Sequence, residues 1–91
     1  MAYVVGTVVS WVDNAFPGWV EVVLHTVDGD VSLVDKVPAF GFEVESIPSP
    51  VQVECVVDRR GPDVVTVTLS HGIGDGSGAS TFRVPPDLVI G

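Results

Sequence analysis

An all-β fold, antiparallel and without a substantial helix, is what the sequence predicts, and three observations predict it. Valine fills 22 of 91 positions, while alanine and leucine together fill 8. A branched Cβ is stiff in a helix and packs well on a pleated sheet, so this balance favours strands. Ten glycines and seven prolines mostly fall between the apolar runs, where they punctuate turns. Val56 apart, apolar and polar residues also alternate with a period of two through 51–57 and 65–69. That is the pattern of a strand with one buried face.

Residues 3–12 read as a first strand, interrupted at Gly6 by a bulge or a sharp bend. Residues 13–18, DNAFPG, form a loop. A second strand at 19–27 puts Val20, Val22 and Leu24 on one face and Trp19, Glu21, Val23 and His25 on the other. Asp28-Gly29 marks a tight turn into a third strand at 30–35, with Val31 and Leu33 inward.

Pro38, Pro48 and Pro50 make residues 36–50 an irregular crossing loop, since proline interrupts central strands and helices alike. Phe40, Phe42, Val44 and Ile47 dip from this loop into one end of the core, and 42–45 allow a short strand. Residues 51–58 direct Val51, Val53, Cys55 and Val57 inward. A turn at 59–62, RRGP, leads to a strand at 63–70 with Val65, Val67 and Leu69 inward. The glycine-rich stretch 71–80 reads as a mobile hairpin loop. A short strand at 81–84 places Phe82 and Val84 inward before Pro85-Pro86 ends it.

Five or six such strands leave one apolar face to cover. Curling the sheet into a small barrel buries that face and removes the edges. A long bent strand, a hairpin, an irregular crossing and a second hairpin make residues 1–91 one domain. This order is similar to the five-stranded OB-like barrel, with a proline-rich loop in place of the usual helix. An SH3-like barrel is the alternative.

Composition narrows the function. Net charge is −8, from 12 acidic and 4 basic residues, so the chain repels a phosphate backbone and nucleic acid is not expected as a partner. No apolar run approaches the ~18 residues of a membrane helix, the N-terminal stretch lacks a basic leader pattern, and a single cysteine excludes an intrachain disulfide. A cytoplasmic protein with no membrane association is expected. His25, His71 and Cys55 stand alone, without the spacing of a metal site, and no cofactor or metal is expected. GIGDGSG at 72–78 lacks the lysine and the following helix of a phosphate loop. No histidine lies where it would activate a nucleophile, so the chain is read as not an enzyme.

The remaining feature is aromatic. Trp11, Phe16 and Trp19 bracket the DNAFPG loop and gather at one barrel end if the first two strands pair. Glu21 and His25 share the Trp19 face. Aromatic rings dominate binding hot spots, and an acidic surface complements a basic partner. The sequence therefore reads as a non-catalytic protein-interaction module of accessory, adaptor or inhibitor/immunity-like type. Its binding residues are Trp11, Phe16, Trp19, Glu21 and His25, and its partner is a basic protein. The alternative is a small-ligand or carbohydrate-binding barrel with Trp11 and Trp19 as stacking surfaces.

Overall fold

The computed structural model describes residues 1–40 and 46–91. The strands are β1 (Ala2–Asp13), β2 (Trp19–Thr26), β3 (Gly29–Lys36), β4 (Ser49–Arg60), β5 (Val65–Leu69), β6 (Thr81–Val84) and β7 (Val89–Ile90). They form one antiparallel sheet in the order β3-β2-β1-β4-β5-β6, with β7 added beside β1. The sheet curls into a half-barrel, as the surplus of one-sided strands requires. Among the described residues, helix is confined to one turn, α1 (Val37–Phe40), and a three-residue 3-10 turn at Pro86–Leu88.

The curl is set by β1. Its residues Ala2 to Val8 pair with β4, and Thr7 to Asp13 pair with β2. These two ladders overlap only at Thr7 and Val8, and β7 adds a short third ladder at Tyr3 and Val4. The bulge expected at Gly6 falls later, at the register shifts between Val8 and Ser10 and between Trp11 and Asp13. Gly6 answers a different demand. A Cβ there would stand 2.9 Å from Cγ1 of Val22 and 3.1 Å from the carbonyl oxygen of Val23, so the close approach of β2 requires a residue without one.

Alternation places the core as the sequence implies. Val20, Val22, Leu24, Leu33, Val53, Val67 and Val84 are fully buried on the concave side, together with Val4, Val8, Cys55, Val65, Leu69 and Phe82. Val31, Ile47, Val51 and Val57 are partly buried against them. Cys55 lies in this core, and burial, followed by the charges of Asp58 and Glu54, pushes its thiol above its ordinary value. The thiol therefore stays neutral and inert.

Several details differ from the sequence reading. The β2–β3 turn uses Val27-Asp28, with Gly29 already in β3 at φ +118°. The Thr26 hydroxyl holds this turn, donating to the Gly29 carbonyl at 2.6 Å and accepting from the Asp28 N–H at 3.1 Å. The described parts of the crossing at 36–50 include one helical turn and the start of β4. Pro38 sits in the first turn of α1, where no backbone N–H is needed. Pro50 enters β4 in a stretch that has β1 on one side and no ladder on the other. Phe42, Val44 and the strand allowed at 42–45 lie outside the described residues, as does the Phe40 side chain. Arg59 and Arg60 belong to β4 and not to the following turn, which closes with the Gly61 N–H donating to the Val64 carbonyl at 2.8 Å.

The glycine-rich stretch departs furthest from expectation. Ile73 within it is 1% exposed and joins the core. Asp75 bridges to Leu33 on the outer side of edge strand β3, which carries no other ladder there among the described residues. At the other edge the Val27 N–H donates to the Arg83 carbonyl at 2.9 Å. These two ties draw the open edges of the half-barrel together. Replacing Ile73 with Ala should accordingly cost about 2–5 kcal/mol, as for other fully buried aliphatics. Val27→Ala, at an exposed turn position, should cost no more than about 0.5 kcal/mol. Urea unfolding of both variants checks this, and equal costs would show that the loop does not close the core.

Candidate functional site

The β1–β2 loop is short and held at both ends. Asp13 Oδ1 accepts from the Ala15 N–H at 2.9 Å, the Gly18 N–H donates to the Ala15 carbonyl at 2.6 Å, and the Val37 N–H donates to the Gly18 carbonyl at 2.9 Å. Gly18 adopts φ +86°, and a Cβ there would stand 2.9 Å from Cζ3 of Trp11. Both demands select glycine. The Phe16-Pro17 peptide bond is cis. At the loop tip the Phe16 ring is 99% exposed.

The three aromatic residues meet at this loop but do not form one surface. Trp11 pairs with buried Val20, so its ring lies on the concave side at the barrel mouth, against Gly18, and remains 44% exposed. Trp19 pairs with Asp13 and Lys36, on the convex side. The Lys36 Nζ lies 5.6 Å from the centroid of its ring, a cation–π contact worth about 0.5–1 kcal/mol at an exposed site. The single aromatic cluster expected from the sequence is thus divided by the pleat of the β1–β2 hairpin. Val12, 58% exposed, extends the apolar surface from β1 toward Phe16.

Glu21 and His25 stand in the convex row that Trp19 begins. Glu21 Oε1 accepts from Ser10 Oγ at 3.2 Å, and Oε2 accepts from Ser32 Oγ at 2.5 Å. This carboxylate therefore staples β1, β2 and β3 together. His25 is drawn not to Glu21 but across the ladder to Asp30, with Nδ1 2.6 Å from Asp30 Oδ1. The carboxylate accepts, so the imidazole proton sits on Nδ1. On β4, Glu54 Oε2 lies 3.3 Å from His71 Nε2. The partner of His25 is set by the β2–β3 register, and that of His71 by the turn that follows β5. No group of three metal-ligating side chains occurs among the described residues, nor does any helix there have the length and apolarity to cross a membrane.

Compared with protein-family models, with curated proteins and with solved structures, the chain matches none.

The glycine-rich loop owes its shape to one carboxylate. Asp75 Oδ1 accepts from the Ser77 N–H at 2.8 Å, the Ser77 hydroxyl at 2.6 Å and the Ala79 N–H at 3.0 Å. The bonds from the Ser77 hydroxyl and N–H favour the charged form and hold the Asp75 carboxyl below 3.8. A carboxylate depressed in this way stabilises the fold above its unfolded value, and the contribution is lost as pH falls through the folded value. Asp75→Asn keeps an acceptor but not the charge. Urea titrations from pH 7 down to pH 3 should show a shallower loss of stability in this variant than in the wild type. Parallel acid limbs would show that the loop does not depend on the Asp75 charge.

Proposed function

We propose that the chain is a non-catalytic protein-interaction module that docks a basic partner around the β1–β2 loop. The observation that carries this reading is Phe16, a wholly exposed aromatic ring on a loop held by three hydrogen bonds. Exposing a phenyl ring to water forfeits roughly 1.5–3 kcal/mol of burial, and a partner surface recovers it. A loop already ordered also loses less entropy on binding. Val12 and Trp11 extend the apolar contact on one side. Asp13 and Glu21 on the convex side and Asp35 on the concave side place acids on both faces beside the loop, and the net charge of −8 extends their field. A basic surface with an apolar pocket is the complement. An adaptor role and an inhibitor/immunity-like role against a basic enzyme both fall within this reading.

Support for a ligand-binding barrel is weaker. Fourteen buried side chains fill the concave side, and the two indoles that would stack a sugar face opposite sides of the hairpin.

The test is a comparison of pull-downs by wild-type protein and by Phe16→Ala, followed by kinetics with the protein recovered. A basic partner should bind with an association rate that falls steeply with salt, because surface charges are screened beyond about 10 Å at 0.1 M. Phe16→Ala should weaken binding by at least about 30-fold, mainly through faster dissociation, while its thermal transition stays within about 2 °C of wild type. A partner held equally well by Phe16→Ala, or one whose association ignores salt, would contradict the proposal.

A further inference from the structure

The end of the sheet remote from Phe16 carries a groove of about 290 Å³ between β6 and the β4–β5 turn. Its lining includes Arg59, Pro62, Asp63, Val64, Thr66 and Arg83. Register pairs Arg59 with Thr66 and Thr66 with Arg83, so the two arginines flank one hydroxyl in a single cross-strand row. Thr66 alternates with buried Val65 and Val67, which places the row on the convex side.

The row exists because β4 bulges. Pairing shifts between Val57 and Arg59, with Asp58 as the extra residue. Unbroken pairing would set Asp58 opposite Thr66 and Arg59 opposite buried Val65. The bulge instead aims Arg59 outward, a common use of this device. Asp58 stays on the same convex face, one step along the strand, where its Oδ2 accepts from Thr68 Oγ1 at 2.5 Å. Arg83 is oriented by Asp28, with Nε donating to Oδ2 at 3.1 Å and Nη2 to Oδ1 at 2.5 Å. That leaves Arg83 Nη1 without a partner among the described residues, and Arg59 has no carboxylate within 4.0 Å there.

Two of only four basic side chains in the protein therefore face one groove, separated by two strand spacings, roughly 10 Å at the backbone. Both side chains line the groove. Arg83 is already paired with Asp28 and offers only its remaining guanidinium N–H donors, whereas Arg59 presents its planar fork unpaired among the described residues.

We propose that this groove binds the carboxylate of a small organic acid. Arg59 and Arg83 donate to the carboxylate, the Thr66 hydroxyl donates between them, and the apolar body of the acid lies on Pro62 and Val64. Asp63 at the rim and the net charge of −8 penalise a second negative charge, so a monocarboxylate is preferred to a phosphate monoester. The site is independent of the Phe16 surface and does not need it to bind a partner.

The probe is benzoate, titrated into isotopically labelled full-length protein and followed by amide chemical shifts, with benzamide and phenyl phosphate in parallel. Benzoate should give saturable shifts centred on Arg59, Thr66 and Arg83, with a Kd of about 10 mM, the affinity usual for a nine-atom ligand. Benzamide should give none. Arg59→Ala should weaken benzoate binding at least about 10-fold, the effect of losing one charged hydrogen bond. Arg60→Ala removes the same charge from a side chain that donates to the Gly91 carbonyl, and should change Kd by less than about 2-fold. Thermal transitions confirm that both variants fold. The proposal is overturned by unsaturated shifts, by equal shifts with benzamide, by equal losses in the two variants, or by phenyl phosphate binding more tightly than benzoate.

Discussion

Everything in this structure depends on how β1 is shared among its partners. Its first half pairs with β4, and with β7 at Tyr3 and Val4, and its second half pairs with β2. A strand cannot serve partners in this staggered way and stay flat, so the sheet coils and its apolar face turns inward. The concave core, the approach of the β3 and β6 edges and the separation of the two ends of the molecule follow from that stagger. Gly6 marks the cost of the arrangement, because β2 passes too close there for any side chain.

The same stagger distributes the exposed chemistry. At the end where β1 gives way to β2 the chain presents Phe16, with acids around it. At the end where β4 runs past the start of β1, it presents the Arg59–Thr66–Arg83 row. A strongly acidic chain thus keeps two of its cations together, remote from the acids beside the loop that would attract a basic partner. Irregularities do the aiming at both ends. The register shifts in β1 decide which side of the hairpin Trp11 and Trp19 occupy, and the bulge in β4 turns Arg59 outward.

These irregularities also mark the limit of what the sequence discloses. Strands, turns and inward faces were legible because a period of two survives in the composition. Val53, Cys55, Val67 and Leu69 share the core that their alternation implies. Phe16 could be singled out from its place in a Pro-Gly loop. The division of Trp11 from Trp19 could not, because a single extra residue reverses which face a side chain occupies and valine-rich strands carry no local signal for a bulge. Ile73 was hidden by seven flanking residues typical of a solvent loop, although it is the only large aliphatic side chain in residues 71–80. Non-local contacts likewise concealed the carboxylates that engage His71 and Arg83, and the exact hairpin register concealed that of His25.

The central claim is that the curled sheet presents Phe16 from a stiff support. The most direct measurement is backbone 15N relaxation across Ala15–Gly18. Order parameters near 0.85, matching the β1 and β2 amides, are expected of a loop held in this way. Values below about 0.6 would mean a flexible tip. In that case the exposed ring would pay the ordering cost at each encounter, and the account of a preformed docking surface would be wrong.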